Sequence, residues 1–262
     1  MRIATFNVHG WSDATGKKRI DDVIALLAEL DCDALVLNEV VSPEHTLARV
    51  ARALGLEPHW AEAGWGGNAI LTRAPAREVE SFTLDADGHL RSALAVRLDG
   101  PGGELDLVGA HLDHVSEALR LAQLDQLHAA LARRSPRHVL AGDLNAMRLS
   151  DLAPPELALV QRYRARQGWE PARDDVMRDL DRRGYIDAVR LALAGSLQAY
   201  RQQLAAPLPR AHAVTCRVDT RIDWILLSGA LSEHVHVSGA RTRRTDVSDH
   251  HPVVIDLTVT PR

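Results

Sequence analysis

The sequence predicts an α/β protein whose 262 residues suit one large domain or two small ones. Three observations carry this. Short continuous apolar runs, such as Ala34-Leu35-Val36-Leu37 and Val139-Leu140-Ala141, have the length and composition of strands buried on both faces. Stretches with apolar residues at helical spacing alternate with them. No internal repeat, low-complexity tract or interdomain linker divides the chain, so a single domain over residues 1–262 is expected.

The first strand is Ile3-Ala4-Thr5-Phe6, ending at Asn7, after which Val8-His9-Gly10-Trp11 turns the chain. A helix is expected from about Lys17 to Leu30, because Ile20, Val23, Ile24, Leu27 and Leu30 share one face. Asp31-Cys32-Asp33 stops it. The strand Ala34–Leu37 then delivers Asn38-Glu39-Val40, placing a carboxylate at a strand end, where α/β proteins hold ligands. Pro43 to Leu54 reads as a second helix with Leu47, Val50, Ala51 and Leu54 inward. Trp65-Gly66-Gly67 followed by Asn68-Ala69-Ile70-Leu71-Thr72 reads as a glycine turn and a strand. Those glycines suit either a tight hairpin or close approach of backbone to a ligand.

Ser92–Leu98 and Glu104–Ala110 are two strands joined by the hairpin signal Asp99-Gly100-Pro101-Gly102-Gly103. The second delivers His111-Leu112-Asp113-His114. A helix of roughly Ser116 to Arg133 follows, with Ser116 as its N-cap and Leu121, Leu124, Leu127 and Leu131 inward. Val139–Ala141 ends at Gly142-Asp143-Leu144-Asn145. Residues 146–210 are looser and read as a helical insertion flanking the site, where a solvated helical face is favoured over a substrate contact for Arg162, Arg164 and Arg166. Ala213–Cys216, Ile222–Leu227, His234–Val237 and Val253–Val259 complete the strands.

Bulk properties narrow the partners. Charged content of 25% and hydrophobic content of 46% are ordinary for a soluble globular chain. The net charge of −4 excludes a global positive field toward nucleic acid, and 4% aromatic residues argue against a broad base-stacking platform. A local basic groove stays open to a nuclease, with Arg162-Tyr163-Arg164 and Arg241-Thr242-Arg243-Arg244 as candidates. Cys32 and Cys216 lack metal-type spacing and read as reduced core residues, which fits a reducing, cytoplasmic setting. The N-terminal stretch lacks an apolar signal-peptide core, and no run approaches the length of a membrane span. A monomer without stable membrane insertion is expected.

The polar residues at strand ends and in the last loop are Asn7, Glu39, His111, Asp143, Asn145, Asp223, Asp249 and His250. Carboxylates gathered at one edge repel one another unless a cation sits among them. Oxygen-rich ligands with few imidazoles favour Mg²⁺, with Mn²⁺ able to substitute, over zinc. Glu39 and Asp249 are then direct ligands. In Ser248-Asp249-His250-His251-Pro252 the imidazole of His250 can face a reacting phosphate, and Asp223 can hold its tautomer. Such a set suits hydrolysis of a phosphate ester by an activated water.

The ordered stretches Thr5-Phe6-Asn7, Leu37-Asn38-Glu39-Val40, Gly67-Asn68-Ala69-Ile70-Leu71, His111-Leu112-Asp113-His114, Gly142-Asp143-Leu144-Asn145, Arg221-Ile222-Asp223-Trp224-Ile225 and Ser248–Pro252 resemble the endonuclease/exonuclease/phosphatase, or DNase I-like, superfamily. That group includes nucleases, inositol polyphosphate 5-phosphatases and sphingomyelinases. The resemblance spans almost the whole chain. It implies a four-layered α/β sandwich of two mixed sheets flanked by helices, and an Mg²⁺ ion at Glu39. It implies that Asn7 and Asn145 bind phosphate or assist the metal, that Asp143 positions the water or the leaving group, and that His250 pairs with Asp223. His111 matches a second histidine found in the DNase- and phosphatase-like branches. Two departures stand out: Asn38 where the family often has Gln, a change expected to matter little, and His9 where several members carry an acid.

A phosphodiesterase or phosphatase acting on a small ester is the leading expectation, with a DNA or RNA nuclease as the alternative. A zinc hydrolase built on His111, His114, His250 and His251 leaves Glu39, Asn7 and Asn145 idle. A non-catalytic binding module on the same fold is disfavoured because the metal Glu and the Asp–His pair are both present.

Overall fold

Two six-stranded sheets face each other in this computed structural model, which describes residues 1–62, 64, 66–100, 102–204 and 206–260. Trp65 of the expected glycine turn and Pro101 of the expected hairpin lie outside the described residues. In chain order the elements begin with β1 (Arg2–Asn7), α1 (Ile20–Leu30), β2 (Ala34–Val40), a π-type turn over Pro43–Leu47, α2 (Ala48–Leu54), β3 (Glu57–Ala61), β4 (Gly67–Thr72), β5 (Ala76–Ala86) and β6 (His89–Gly100). They continue with β7 (Gly103–His111), α3 (Glu117–Leu131), β8 (His138–Asp143), α4 (Pro154–Arg166), α5 (Asp175–Arg182), β9 (Ile186–Asp187), α6 (Ala188–Ala194) and α7 (Leu197–Gln203). β10 (Asp223–Leu227), α8 (Gly229–Ser232), β11 (Val235–Thr242) and β12 (Val253–Val259) close the chain.

The first sheet runs β11-β12-β1-β2-β4-β3 and the second β5-β6-β7-β8-β10-β9. Each has one parallel pair at its centre, β1 with β2 and β7 with β8, and antiparallel neighbours outside it. Alternation explains the layers. Ile3, Val36 and Ile70 of the first sheet meet Leu94, Leu107, Val139 and Ile225 of the second in a central core. The intervening residues point outward: Phe6, Leu35 and Leu37 pack under Val23, Leu27 and Val50 of α1 and α2, while Leu140 and Trp224 pack under Leu124, Leu127 and Val176 of α3 and α5. The result is the expected four-layered α/β sandwich. Both faces of the central strands are buried, which is why their sequences are continuously apolar.

Ser116 caps α3 as expected, its hydroxyl accepting from the Leu119 amide. Other expectations shift. α1 starts at Ile20 rather than Lys17, because residues 12–18 form a small loop closed by the Asp13 amide on the Lys17 carbonyl, 2.9 Å, and a Ser12–Lys18 bridge. Ala213–Cys216 is buried but is not a strand. The Thr215 and Cys216 amides donate to the Thr220 carbonyl, and the Thr215 hydroxyl accepts from the amides of Ile222 and Asp223, so this stretch folds onto its own turn. Arg164 is buried instead of solvated, donating to the carbonyls of Glu170 and Val115. Within the 146–210 segment, Val176, Leu180, Ala188, Val189 and Tyr200 belong to the main cores, and β9 pairs with β10.

Gly142 shows how closely the second sheet is packed before the site. Its φ is +140°, and a Cβ there would stand 1.9 Å from the Ala110 carbonyl oxygen on β7. Gly142→Ala is therefore expected to lower stability by about 3 kcal/mol or more, read as a shift of the urea midpoint. A loss below about 0.5 kcal/mol, the size of an ordinary surface change, would contradict this packing.

Candidate active site

The ends of β1, β2, β7, β8 and β10 and the loop before β12 converge on one cavity of about 510 Å³. Its walls include Glu39, His111, Asp143, Asn145, Asp249 and His250. Asn7 and Asp223 lie just behind them, fully buried. The eight residues read from the sequence are thus brought together.

The backbone at the site is unusual. His9, Glu39 and Asn145 adopt φ values of 46°, 57° and 49°, in the left-handed region that non-glycine residues seldom enter. The β2–β4 register shifts between Leu37 and Val40, so Glu39 sits at an irregularity that redirects its side chain. Gly66, itself at φ +76°, passes so close that a Cβ would stand 3.0 Å from the Glu39 Cα. Close backbone approach therefore explains this glycine.

Asn7 orders the carboxylates. Its Nδ2 donates to Glu39 Oε1 and to Asp143 Oδ2, each at 3.0 Å, while its Oδ1 accepts from the His9 amide at 2.9 Å. Both ends of the amide are thus engaged within the protein. Asp143 is held further by the Asn145 amide on its Oδ1, 3.0 Å, and by its own amide donating to Asn38 Oδ1, 2.9 Å. Asn38 continues a buried chain: its Nδ2 donates to Asn68 Oδ1 and to the Ala110 carbonyl, and Asn68 Nδ2 donates to the Ser92 carbonyl and hydroxyl. Asn38 and Asn68 belong to the first sheet and Ser92 and Asp143 to the second, so this amide chain ties the two sheets at the site. The Asn38 departure, expected to matter little, thus lies at the centre of that tie.

His250 Nδ1 donates to Asp223 at 2.9 Å, and its Nε2 lies 3.7 Å from Asp143 Oδ2. Burial alone would lower its pKa. The charges of Asp223 and Asp143, with the Asp223 hydrogen bond, outweigh burial and raise it well above the ordinary imidazole value. His111 is the opposite case: burial takes it down to about 4 against the pull of Asp143, and Arg91 adds to the lowering. One cavity thus pushes its two imidazoles in opposite directions. Ser248 fastens the last loop, its hydroxyl donating to the Asn7 carbonyl at 2.8 Å.

Two carboxylate oxygens at this cavity, Glu39 Oε2 and Asp249 Oδ1, are buried without a hydrogen-bond partner. Burial raises the Glu39 pKa, with the Asn7 hydrogen bond opposing it. A buried carboxylate oxygen left bare is costly, and a cation relieves it. Among the described residues, Glu39, His111 and Asp143 form one group whose ligand atoms lie within 4.8 Å of one another, and Asp143, Asp223 and His250 form another. Asp249 is in neither; its Oδ1 lies 3.7 Å from His9 Nδ1. Each group holds one imidazole among carboxylates, a donor set that fits a hard divalent cation better than a multi-histidine zinc site.

Several cavity residues were not singled out by the sequence. Arg91 enters from β6, its Nη2 3.1 Å from His114 Nδ1, and has no carboxylate partner among the described residues. Trp169 comes from the 146–210 segment and meets His114 edge-on with ring centroids 5.3 Å apart; beside it stands Tyr163, the middle residue of the candidate basic patch Arg162-Tyr163-Arg164. No residue pattern marks Arg91 or Trp169 as a site residue, since each is brought in by tertiary packing. Asp113, Glu117 and Arg120, by contrast, are structural. Asp113 accepts from the Val115 and Ser116 amides, and Glu117 binds Arg120 and the Val176 amide, pinning α5 to α3.

Solved structures share this fold. One is the human Nocturnin catalytic domain with bound sulfate anion: 18% identity, TM-score 0.70, covering 99% of this chain and 93% of that one. A Beutenbergia cavernae endonuclease/exonuclease/phosphatase gives 20% identity, TM-score 0.70, and 99% and 72% coverage. D. rerio TDP2 complexed with single strand DNA product gives 18%, 0.66, and 99% of both chains. At these identities the likeness speaks for the fold alone. No curated protein matches the chain in sequence. The Endonuclease/Exonuclease/phosphatase family model, however, matches residues 4–250, a span running from β1 to the Asp–His loop, and the chain therefore belongs to the endonuclease/exonuclease/phosphatase family.

Proposed function

We propose that this chain is a metal-dependent phosphoric ester hydrolase using Mg²⁺, with Mn²⁺ able to substitute. The observation that carries this reading is the pair of buried carboxylate oxygens without a hydrogen-bond partner, Glu39 Oε2 and Asp249 Oδ1, on two residues that line the cavity beside the Asp223–His250 pair. Glu39 holds the ion, with Asp249 as the second carboxylate on the same cavity. The bound cation supplies charge neutralisation at the phosphoryl oxygens.

The rest follows from the chain's own groups. Asp143 accepts a hydrogen bond from the attacking water and aligns it with phosphorus. Asn7 fixes the Asp143 and Glu39 carboxylates against each other and stands behind the phosphate. His250 donates from Nε2 to a phosphoryl oxygen; Asp223 holds its tautomer and sustains its positive charge. The neutral His111 and the Asn145 amide complete the polar lining for the phosphate. The sulfate in Nocturnin and the DNA product in TDP2 are anionic ligands on the same fold, in line with a phosphate here. Cys32 and Cys216 are both buried and free, in keeping with a reducing, cytoplasmic setting. Among the described residues no helix is long and apolar enough to cross a membrane.

The test is turnover of bis-p-nitrophenyl phosphate with Mg²⁺, with Mn²⁺ and with EDTA, beside metal analysis of the purified protein. Activity that needs Mg²⁺ or Mn²⁺ and disappears in EDTA is expected. Full activity in EDTA, or stoichiometric zinc surviving dialysis, would defeat the reading.

A further inference from the structure

A second cavity of about 540 Å³ adjoins the first. Tyr163, Arg217 and Val218 line both, so the two share a wall. The second is strongly cationic. Arg162, Arg166, Arg210 and Arg217 face it against two carboxylates, Glu156 and Asp219, and both of these are taken by Arg210. Arg162 and Arg166 stand one turn apart on the same face of α4 and have no carboxylate partner among the described residues. Most arginines near this end of the fold are paired: Arg148 with Asp181, Arg190 with Asp151 and Arg221 with Asp187. A chain of net charge −4 thus places two exposed guanidinium groups, without a carboxylate partner among the described residues, beside its reaction cavity.

The neighbouring Arg164 sharpens the contrast. It turns inward, closes the Glu170 and Val115 carbonyls and covers the Trp169 ring with its guanidinium 5.5 Å from the ring centroid. It thereby fixes α4 so that Arg162 and Arg166 project over the groove. Arg217 stands where the two cavities meet, its Nε 3.8 Å from Asp249 Oδ2, and so puts a guanidinium between the acidic reaction cavity and the groove.

We infer that this groove is a second anion subsite, built by Arg162, Arg166 and Arg217, which binds a further phosphate of a substrate whose scissile phosphate sits in the reaction cavity. The inference rests on the phosphoesterase reading and deepens it. A substrate with one phosphate leaves the groove empty; a substrate with two or more, a nucleotide strand or a polyphosphorylated small ester, fills both. Guanidinium groups suit this task, since their forked donors match phosphate oxygens.

The test compares wild type with R162E/R166E, two exposed positions. Binding of a labelled short oligothymidylate, and separately of inositol hexakisphosphate by competition, is measured by fluorescence anisotropy in EDTA. Turnover of bis-p-nitrophenyl phosphate, which carries one phosphate, is measured with Mg²⁺. The expected result is binding weaker by on the order of tenfold for at least one polyanion, lessened by added salt, with bis-p-nitrophenyl phosphate turnover kept within about twofold. Loss for the strand alone assigns the groove to nucleic acid, and loss for the inositol phosphate alone assigns it to small esters. Unchanged binding of both, no binding of either by wild type, or equal loss on the one-phosphate ester overturns the subsite. If wild type turns over no ester yet the variant still loses binding, the hydrolase reading fails while the anion groove stands.

Discussion

Asp143→Asn is expected to leave a folded protein whose kcat on a phosphodiester falls by about 10³–10⁴-fold. Asp143 is the one residue shared by both close groups of ligand atoms. Its Oδ2 lies 3.0 Å from Asn7 Nδ2, 3.7 Å from His250 Nε2 and 3.8 Å from His111 Nε2. Its Oδ1 is occupied by the Asn145 amide. An amide at this position has a single acceptor oxygen, so it meets either Asn7 or Asn145 with an NH₂ and leaves one donor facing another. It also takes away the charge that is proposed to align the water and that raises the His250 pKa. Against this, it relieves repulsion with Glu39. The two changes roughly offset, so the urea midpoint should move by no more than about 1 kcal/mol. Steady-state kinetics beside denaturation would separate the effects, and activity within about tenfold of wild type would remove Asp143 from the reaction.

Glu39→Gln should lower kcat/KM by about 10²–10³-fold at millimolar Mg²⁺, and the stability readout is equally informative. The Glu39 carboxylate is mostly buried, its Oε2 bare, and its pKa raised by that burial. In EDTA the neutral amide should make the variant as stable as wild type or more so. Mg²⁺ should stabilise wild type by about 1–3 kcal/mol through binding to the folded state alone, whereas the variant's thermal midpoint should not respond. A variant whose midpoint rises with Mg²⁺ as much as that of wild type would take the ion away from Glu39.

Much of the fold was legible because the central strands announce themselves. A run such as Ala34–Leu37 must be buried on both faces, and residues such as Asn7, Glu39 and Asp143 then stand at strand ends by chain order alone. Of the four edge strands, β11 was legible in part through His234–Val237, but β3, β5 and β9 were not. β5 carries Arg77, Glu78 and Glu80 and is largely exposed along its first half, which is how an edge strand avoids pairing with strangers and why it lacks an apolar signature. Ala213–Cys216 misled in the other sense, since burial inside a loop supplies the same apolar residues as a strand. At the site, carboxylates and imidazoles declared their chemistry. The amide chain from Ser92 through Asn68 and Asn38 to Asp143 did not, because its members are far apart in sequence and neutral amides suit caps and turns equally well. Arg91 and Trp169 were invisible for a related reason: only the packing of β6 and of the 146–210 segment decides that they face the cavity.

The placing of β12 beside β1 has a consequence for how the molecule is made. The first strand of the chain finds its antiparallel partner only in the last, with Arg2 opposite Asp256, so the first sheet stays open along β1 until residues near 259 are available. His250 arrives in the same stretch, fastened by Ser248 to the carbonyl of Asn7. During synthesis the second sheet can therefore be completed once β10 has emerged, while the first waits with an exposed apolar strand edge. Contacts of such long sequence separation slow the search for the native state and leave that edge open to mispairing. They also mean that a half-made chain holds Glu39, Asp143 and Asp223 without Asp249 and His250, so the cavity is completed in the same step as the sheet.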